Sequence, residues 1–203
     1  MRALLVRHGV TGETGKVLTG RLPGVSLSDK GRLDARVAAD RLRAMPVAAV
    51  YSSPIRRCRE TARIVASPHE LTPITEQRFV EADYGAWSGR RLKDLYRLKA
   101  WERLMAHASR FRFPDGETLA EVQARAVAGL EALAARHGSD TVVVVSHADV
   151  IRALLCQYLG APLDLIHRTQ VAPTSLSIIQ LGPDGAVQVP VVNQSLEPLG
   201  NAS

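Results

Sequence analysis

Thr141-Val142-Val143-Val144-Val145-Ser146-His147 is the stretch of this chain that decides the fold. Its threonine and four valines form an unbroken β-branched run, which reads as a strand buried on both faces. The run stops at Ser146-His147-Ala148-Asp149, and a helical pattern follows from about Val150 to Leu159. A fully buried strand that feeds directly into a helix belongs in the middle of a helix-covered sheet. Upstream, Leu119, Val122, Ala126, Leu130 and Leu133 lie on one helical face. Thr118 and Glu121, three apart, form a capping-box pattern at its start, and Gly138 ends it.

The N-terminal part repeats the strand-then-helix order. Leu4-Leu5-Val6 is a short buried strand that ends at Arg7-His8-Gly9. A glycine-rich connection follows through Gly12, Gly15, Gly20 and Pro23-Gly24. Ser28 is an N-cap for a helix carried to Met45-Pro46 by Leu33, Val37, Leu42 and their alanines. Val47 to Tyr51 is a second strand, closed by Ser52-Ser53-Pro54, with Pro54 in the first turn of a helix to about Ala66. This opening implies a parallel sheet. Scattered aromatics and charges at about 78–116 read as a small, mostly helical insertion. A last strand, Leu176 to Leu181, precedes a polar tail at about 183–203. The expectation is one α/β domain over residues 1–203.

Composition narrows the function classes. The 203 residues are 46% apolar and 23% charged, which excludes a disordered, collagen-like or disulfide-scaffold chain. No apolar stretch reaches the length of a membrane span, and the N-terminus lacks the apolar core of a signal peptide. Cys58 and Cys156 form neither a disulfide framework nor a metal-ligand pattern, so a reduced, cytoplasmic setting is expected. A formal charge of +6 suits an anionic partner. The arginines form no basic tail, and two Trp, four Tyr and three Phe offer little stacking surface, so nucleic acid is not the expected partner.

The expected strands end in Arg7-His8, Ser52-Ser53 and Ser146-His147. Ligands of open parallel sheets bind beyond these carboxyl ends. A pocket with two histidines and several arginines suits a phosphate ester, because guanidinium forks match phosphate oxygens and a neutral imidazole can attack phosphorus. The same histidines with Asp149 would also suit a metallohydrolase, but arginines in the pocket would repel a divalent cation.

Six blocks, in order, resemble the histidine phosphatase superfamily, branch 1, of phosphoglycerate mutase-like fold. They are Arg7-His8-Gly9-Val10-Thr11, Leu18-Thr19-Gly20-Arg21 with Leu27-Ser28-Asp29-Lys30-Gly31, Ser52-Ser53-Pro54-Ile55-Arg56-Arg57 through Thr61-Ala62, Val80-Glu81 through Trp87-Ser88-Gly89, Pro114-Asp115-Gly116-Glu117-Thr118, and Val145-Ser146-His147. The resemblance implies a three-layer sandwich with a mostly parallel central sheet and helices on both faces. It implies a phosphatase in which His8 is the nucleophile that becomes phosphohistidine. Arg7, Arg57 and His147 would hold the phosphoryl group, and Glu81 would be the proton donor, with Asp83 the competing carboxylate. Thr11, Thr19, Gly20 and Arg21 match positions near substrate. No metal or organic cofactor is expected; the partner is a small phosphorylated substrate, and a homodimer is compatible. A mutase is the alternative reading, with a non-catalytic phosphate-binding module behind it. Val10, Thr14, Glu60 and Ala148 depart from the family pattern, and the methyl of Ala148 is expected to crowd the pocket or alter the backbone.

Overall fold

The valine run does form the centre of the sheet. The structure, a computed structural model, describes residues 1–196. Its elements are β1 (Arg2–Arg7), α1 (Asp29–Leu42), β2 (Val47–Ser52), α2 (Arg56–Ala66), β3 (Ile74–Thr75), α3 (Leu92–Leu95), α4 (Lys99–Ala106), α5 (Leu119–His137), β4 (Thr141–Ser146), α6 (Ala148–Leu159), β5 (Leu176–Leu181) and β6 (Val187–Gln194). The sheet order is β3-β2-β4-β1-β5-β6. β3, β2, β4 and β1 are mutually parallel, whereas β5 runs antiparallel to β1, and β6 antiparallel to β5.

Alternation along the strands builds two cores. Leu5, Val142 and Val144 face a core closed by α5 and α6 through residues such as Leu130 and Leu154. Leu4, Val6, Val143 and Val145 face a second core closed by α1 and α2 through Leu42 and Val65. Both faces of β4 are therefore dry, and each buried valine contributes about 1.5–3 kcal/mol. This is the expected α/β sandwich. No helix among the described residues is long and apolar enough to cross a membrane.

Three expectations need correction. Leu33 does not anchor α1: it is 58% exposed, and the buried face is Ala35, Ala38, Ala39 and Leu42. Small side chains there let α1 lie close to α2 and the sheet. Pro54 precedes α2 rather than opening it, because extended Ile55 is the N-cap. The segment after Leu181 is not all tail, since residues Val187–Gln194 form edge strand β6. Much of β6 is exposed and it contains Pro190, which an edge strand tolerates but a central one does not. The rest of the expected tail, 197–203, lies outside the described residues. β3 escapes sequence reading because it has only two residues.

The capping predictions hold. The Ser28 hydroxyl accepts from the Gly31 N–H, and Thr118 and Glu121 form the full capping box of α5. Ser28 also ties α1 to the His8 loop, donating from its hydroxyl and its N–H to the Val10 carbonyl. At this junction two backbones nearly touch: a Cβ on Gly31 would lie 2.1 Å from the Val10 oxygen.

Gly31→Ala is therefore expected to destabilise the fold by about 1–3 kcal/mol, although alanine is the better helix former. Gly12→Ala, where a Cβ meets nothing within 4 Å, should leave stability nearly unchanged. Urea unfolding of both variants checks this, and equal midpoints would refute the close-approach argument.

Candidate active site

Sheet register brings the strand-end residues level. Arg7 pairs with Ser146 across β1 and β4, and Ser52 with Val145 across β2 and β4. The ladder runs one residue further, because His8 N donates to Ser146 O and Ser53 N donates to Val145 O, each at 2.9 Å. His8, Ser53 and His147 thus emerge side by side. A cavity of about 390 Å³ opens above them, lined by Arg7, His8, Arg57 and Glu81 among others. A larger hollow of about 740 Å³ lies at the amino end of β1, but no histidine or carboxylate lines it.

Each imidazole is held in one tautomer. His8 Nδ1–H donates to Gly9 O at 2.8 Å, which leaves the Nε2 lone pair to accept from Arg57 Nε at 3.1 Å. His147 has the opposite arrangement. Its Nε2–H donates to Ser53 Oγ at 2.8 Å, while Nδ1 accepts from Arg57 Nη2 at 3.1 Å. Burial, then the Arg57 and Arg7 charges, holds His8 well below the ordinary imidazole range. Burial and Arg57 do the same to His147. Both rings are neutral at pH 7, and their centroids are 5.2 Å apart, edge to face.

Arg57 is 1% exposed and sits between the two rings. Its Nη2 also donates to Gly20 O at 2.8 Å. Gly20 has φ +50°, and a Cβ there would lie 2.9 Å from the Tyr84 ring, so the loop reaches Arg57 only with glycine at this position. Thr61 ties α2 to the first strand end: its hydroxyl accepts from Gly9 N and donates to Arg57 O. Arg57 Nη1 and Arg7 Nε are buried and have no hydrogen-bond partner in the protein. Two cations with unused buried donors in one cavity make a seat for a multiply charged oxyanion.

Glu81 stands on the other side of the seat. Its Oε2 lies 3.6 Å from His147 Nδ1, and its Oε1 accepts from Ala82 N. Burial, then the negative charge of Asp149, pushes its carboxyl up to about 7. A carboxyl that exchanges its proton near neutrality can work as an acid and as a base. The backbone beneath it is clamped from α5: Arg125 donates to the carbonyls of Arg78, Val80 and Glu81 and pairs with Glu117.

The comparisons with known proteins fit this geometry. The model of the histidine phosphatase superfamily (branch 1) matches residues 3–194. This chain belongs to that family. It is 32% identical to phosphoserine phosphatase 1 of Hydrogenobacter thermophilus, over 89% of this chain and 87% of that protein. It is 29% identical to a probable phosphoglycerate mutase of Yersinia pestis, over 87% of this chain and 83% of that one. The solved structure of Bacillus stearothermophilus YhfR superimposes with a TM-score of 0.89 at 28% identity, covering 97% and 99% of the two chains. The chain is thus a phosphatase of the phosphoglycerate mutase-like fold.

In this phosphatase the cavity gathers Arg7, His8, Thr11, Thr19, Gly20, Arg57 and Glu81, with His147 buried against Arg57 beneath them. Arg21 does not line it: its guanidinium is spent on the Glu81 carbonyl, Asp83 and Glu117. Asp83 also lies outside, bound to Arg21 and to Gly85 N. Ala148 is the first residue of α6, without positive φ, so its methyl demands no unusual backbone. Glu60 accepts from Leu27 N, Arg32 and Arg56, and so joins the loop to α2. Sequence reasoning missed a neighbouring cluster. Asp149 accepts from the Tyr84 hydroxyl at 2.6 Å and from Arg152 at 2.9 Å, and Tyr84, Arg152 and His167 join it in the cavity wall. Of this cluster only Asp149, two residues after His147, stands among the candidate site groups read from the sequence.

Arg56 and Arg57 are adjacent, yet only Arg57 enters the site, while Arg56 pairs with Glu60 at 2.7 Å. Arg57→Ala is expected to lower kcat about a hundredfold, roughly 3 kcal/mol, and Arg56→Ala hardly at all. Steady-state rates on one phosphomonoester provide the check, and equal losses would exclude the assigned seat.

Proposed function

We propose that this phosphatase hydrolyses a small phosphomonoester through a phosphohistidine on His8. The observation that carries the reading is the orientation of His8: Nδ1–H is committed to Gly9 O, and the Nε2 lone pair faces the two-arginine seat. Nε2 attacks phosphorus, the phosphorus–oxygen ester bond breaks, and Glu81 protonates the departing alkoxide. The ring then carries a positive charge that the Gly9 carbonyl stabilises. Water attacks the phosphohistidine, Glu81 takes its proton, the phosphorus–nitrogen bond breaks, and neutral His8 returns. Arg7 and Arg57 hold the phosphoryl oxygens in both steps, with preorganised charge placed where negative charge develops. His147, which shares Arg57 with His8, completes the seat. A mutase would instead return the phosphoryl group to a second hydroxyl, and product analysis tells the two apart.

Rapid quench with labelled substrate should trap acid-labile, base-stable phosphate on the protein and none on His8→Ala. Label on the variant would remove His8 from the nucleophile role.

Glu81→Gln keeps the size and loses the proton. Single-turnover cleavage of an alkyl phosphate should slow by about 100- to 10,000-fold, and that of p-nitrophenyl phosphate much less, since that leaving group departs without help. The pH profile supplies a sign. A raised carboxyl pKa keeps Glu81 protonated below about 7, so kcat/KM for the alkyl ester should fall as pH rises through about 7. Glu81→Gln should lose that limb, and its survival in the variant would assign it to another group.

A further inference from the structure

The cavity has two chemically different parts. Its floor is the cationic seat. Part of the remaining lining is apolar and comes from two distant segments: Leu18 from the glycine-rich loop, and Leu92, Tyr96, Trp101, Met105 and Phe113 from the insertion. Backbone pairing locks these segments together, because Leu18 N donates to Arg90 O, Gly89 N to Leu18 O and Leu92 N to Lys16 O. The aromatics are braced in turn: Trp101 stacks on Trp87 at 6.0 Å and meets Tyr96 edge to face at 4.8 Å. Tyr96 and Met105 are 54% and 43% exposed, an unusual exposure for side chains of this size that line a concave mouth.

The one arginine beyond the floor is already paired with a carboxylate. Arg152 is the remaining arginine in the lining, and it is neutralised by Asp149 at 2.9 Å while its Nε donates to Thr169 O. His167 is the remaining histidine, and burial holds it below the usual imidazole range. A second anionic group on a substrate would therefore meet only a cation whose charge Asp149 already balances, which compensates poorly for its desolvation.

We propose that the leaving alcohol of the substrate is apolar or aromatic and carries no second anionic group, so that phosphoserine and 3-phosphoglycerate are poor substrates. This rests on the phosphomonoesterase reading and specifies its substrate class. A hydrocarbon or aryl group lies on the Tyr96–Trp101–Met105 wall, while a carboxylate finds no partner there.

The test compares kcat/KM for 2-phenylethyl phosphate with that for O-phosphoserine and 3-phosphoglycerate. The phenylethyl ester should be preferred by at least about tenfold, the scale on which apolar pockets discriminate. Its alcohol is no better a leaving group than the serine hydroxyl, so the preference cannot come from the chemical step. Met105→Ser alters a half-exposed side chain and should leave melting nearly unchanged, whereas Tyr96→Ser, which loses its edge-to-face contact with Trp101, should lower it slightly without unfolding the protein. Each should raise KM for 2-phenylethyl phosphate severalfold, with little change in kcat and none in phosphoserine turnover. Phosphoserine turnover equal to or better than that of the aryl ester, or variants that slow both substrates alike, overturns the proposal and leaves the phosphatase reading standing. Failure to cleave any of the three esters, with no trapped phosphohistidine, overturns the parent reading and this proposal with it.

Discussion

A single buried guanidinium organises this molecule's chemistry. Arg57 lies at the first turn of α2, out of water, and donates to His8, His147 and Gly20 O. Burying such a charge is costly unless its donors find partners. Here three backbone and ring acceptors supply them, and in return Arg57 decides which nitrogen of each imidazole keeps its lone pair. Its Nη1 remains without a partner, as does Nε of Arg7, and both residues line the same cavity. The site thus carries positive charge on its arginines and none on its histidines, the distribution a phosphoryl dianion and a neutral nucleophile require.

Two rigid supports keep that arrangement in place. The first is the parallel register of β2, β4 and β1, which sets three strand ends at one level and needs a dry sheet on both faces. The second is the clamp made by Arg125 of α5 and Glu117 of the turn before it, which fix the backbone on both sides of Glu81. Residues far from the reacting atoms therefore set the direction in which the carboxyl points. The cluster Asp149–Arg152–Tyr84 adds electrostatics: burial works against ionisation of Asp149, but Arg152 and the Tyr84 hydroxyl outweigh it, so a fixed negative charge stands near Glu81. That charge, together with burial, brings Glu81 near neutrality.

The sequence by itself determined the elements with strong local signals. The valine run of β4, the capping box of α5 and the Ser28 cap are local patterns, and all three stand in the structure. Arg7, His8, Glu81 and His147 were legible because each lies at a fixed step from a strand end or within a recognisable block. Only the tertiary structure decided the rest. Leu33 faces solvent because helix periodicity cannot say how close a neighbouring helix must come, and the alanines of α1 took the inner face. The edge strand β6 was illegible because Pro190 interrupts its pattern and none of its residues is fully buried, a combination only an edge strand allows. Arg21 matched a motif, yet three acceptors brought together by the fold hold it away from the cavity. The apolar wall, and the neutralisation of Arg152, depend on side chains joined across long stretches of chain. No local spacing encodes such meetings; packing of the insertion against the loop and α6 creates them.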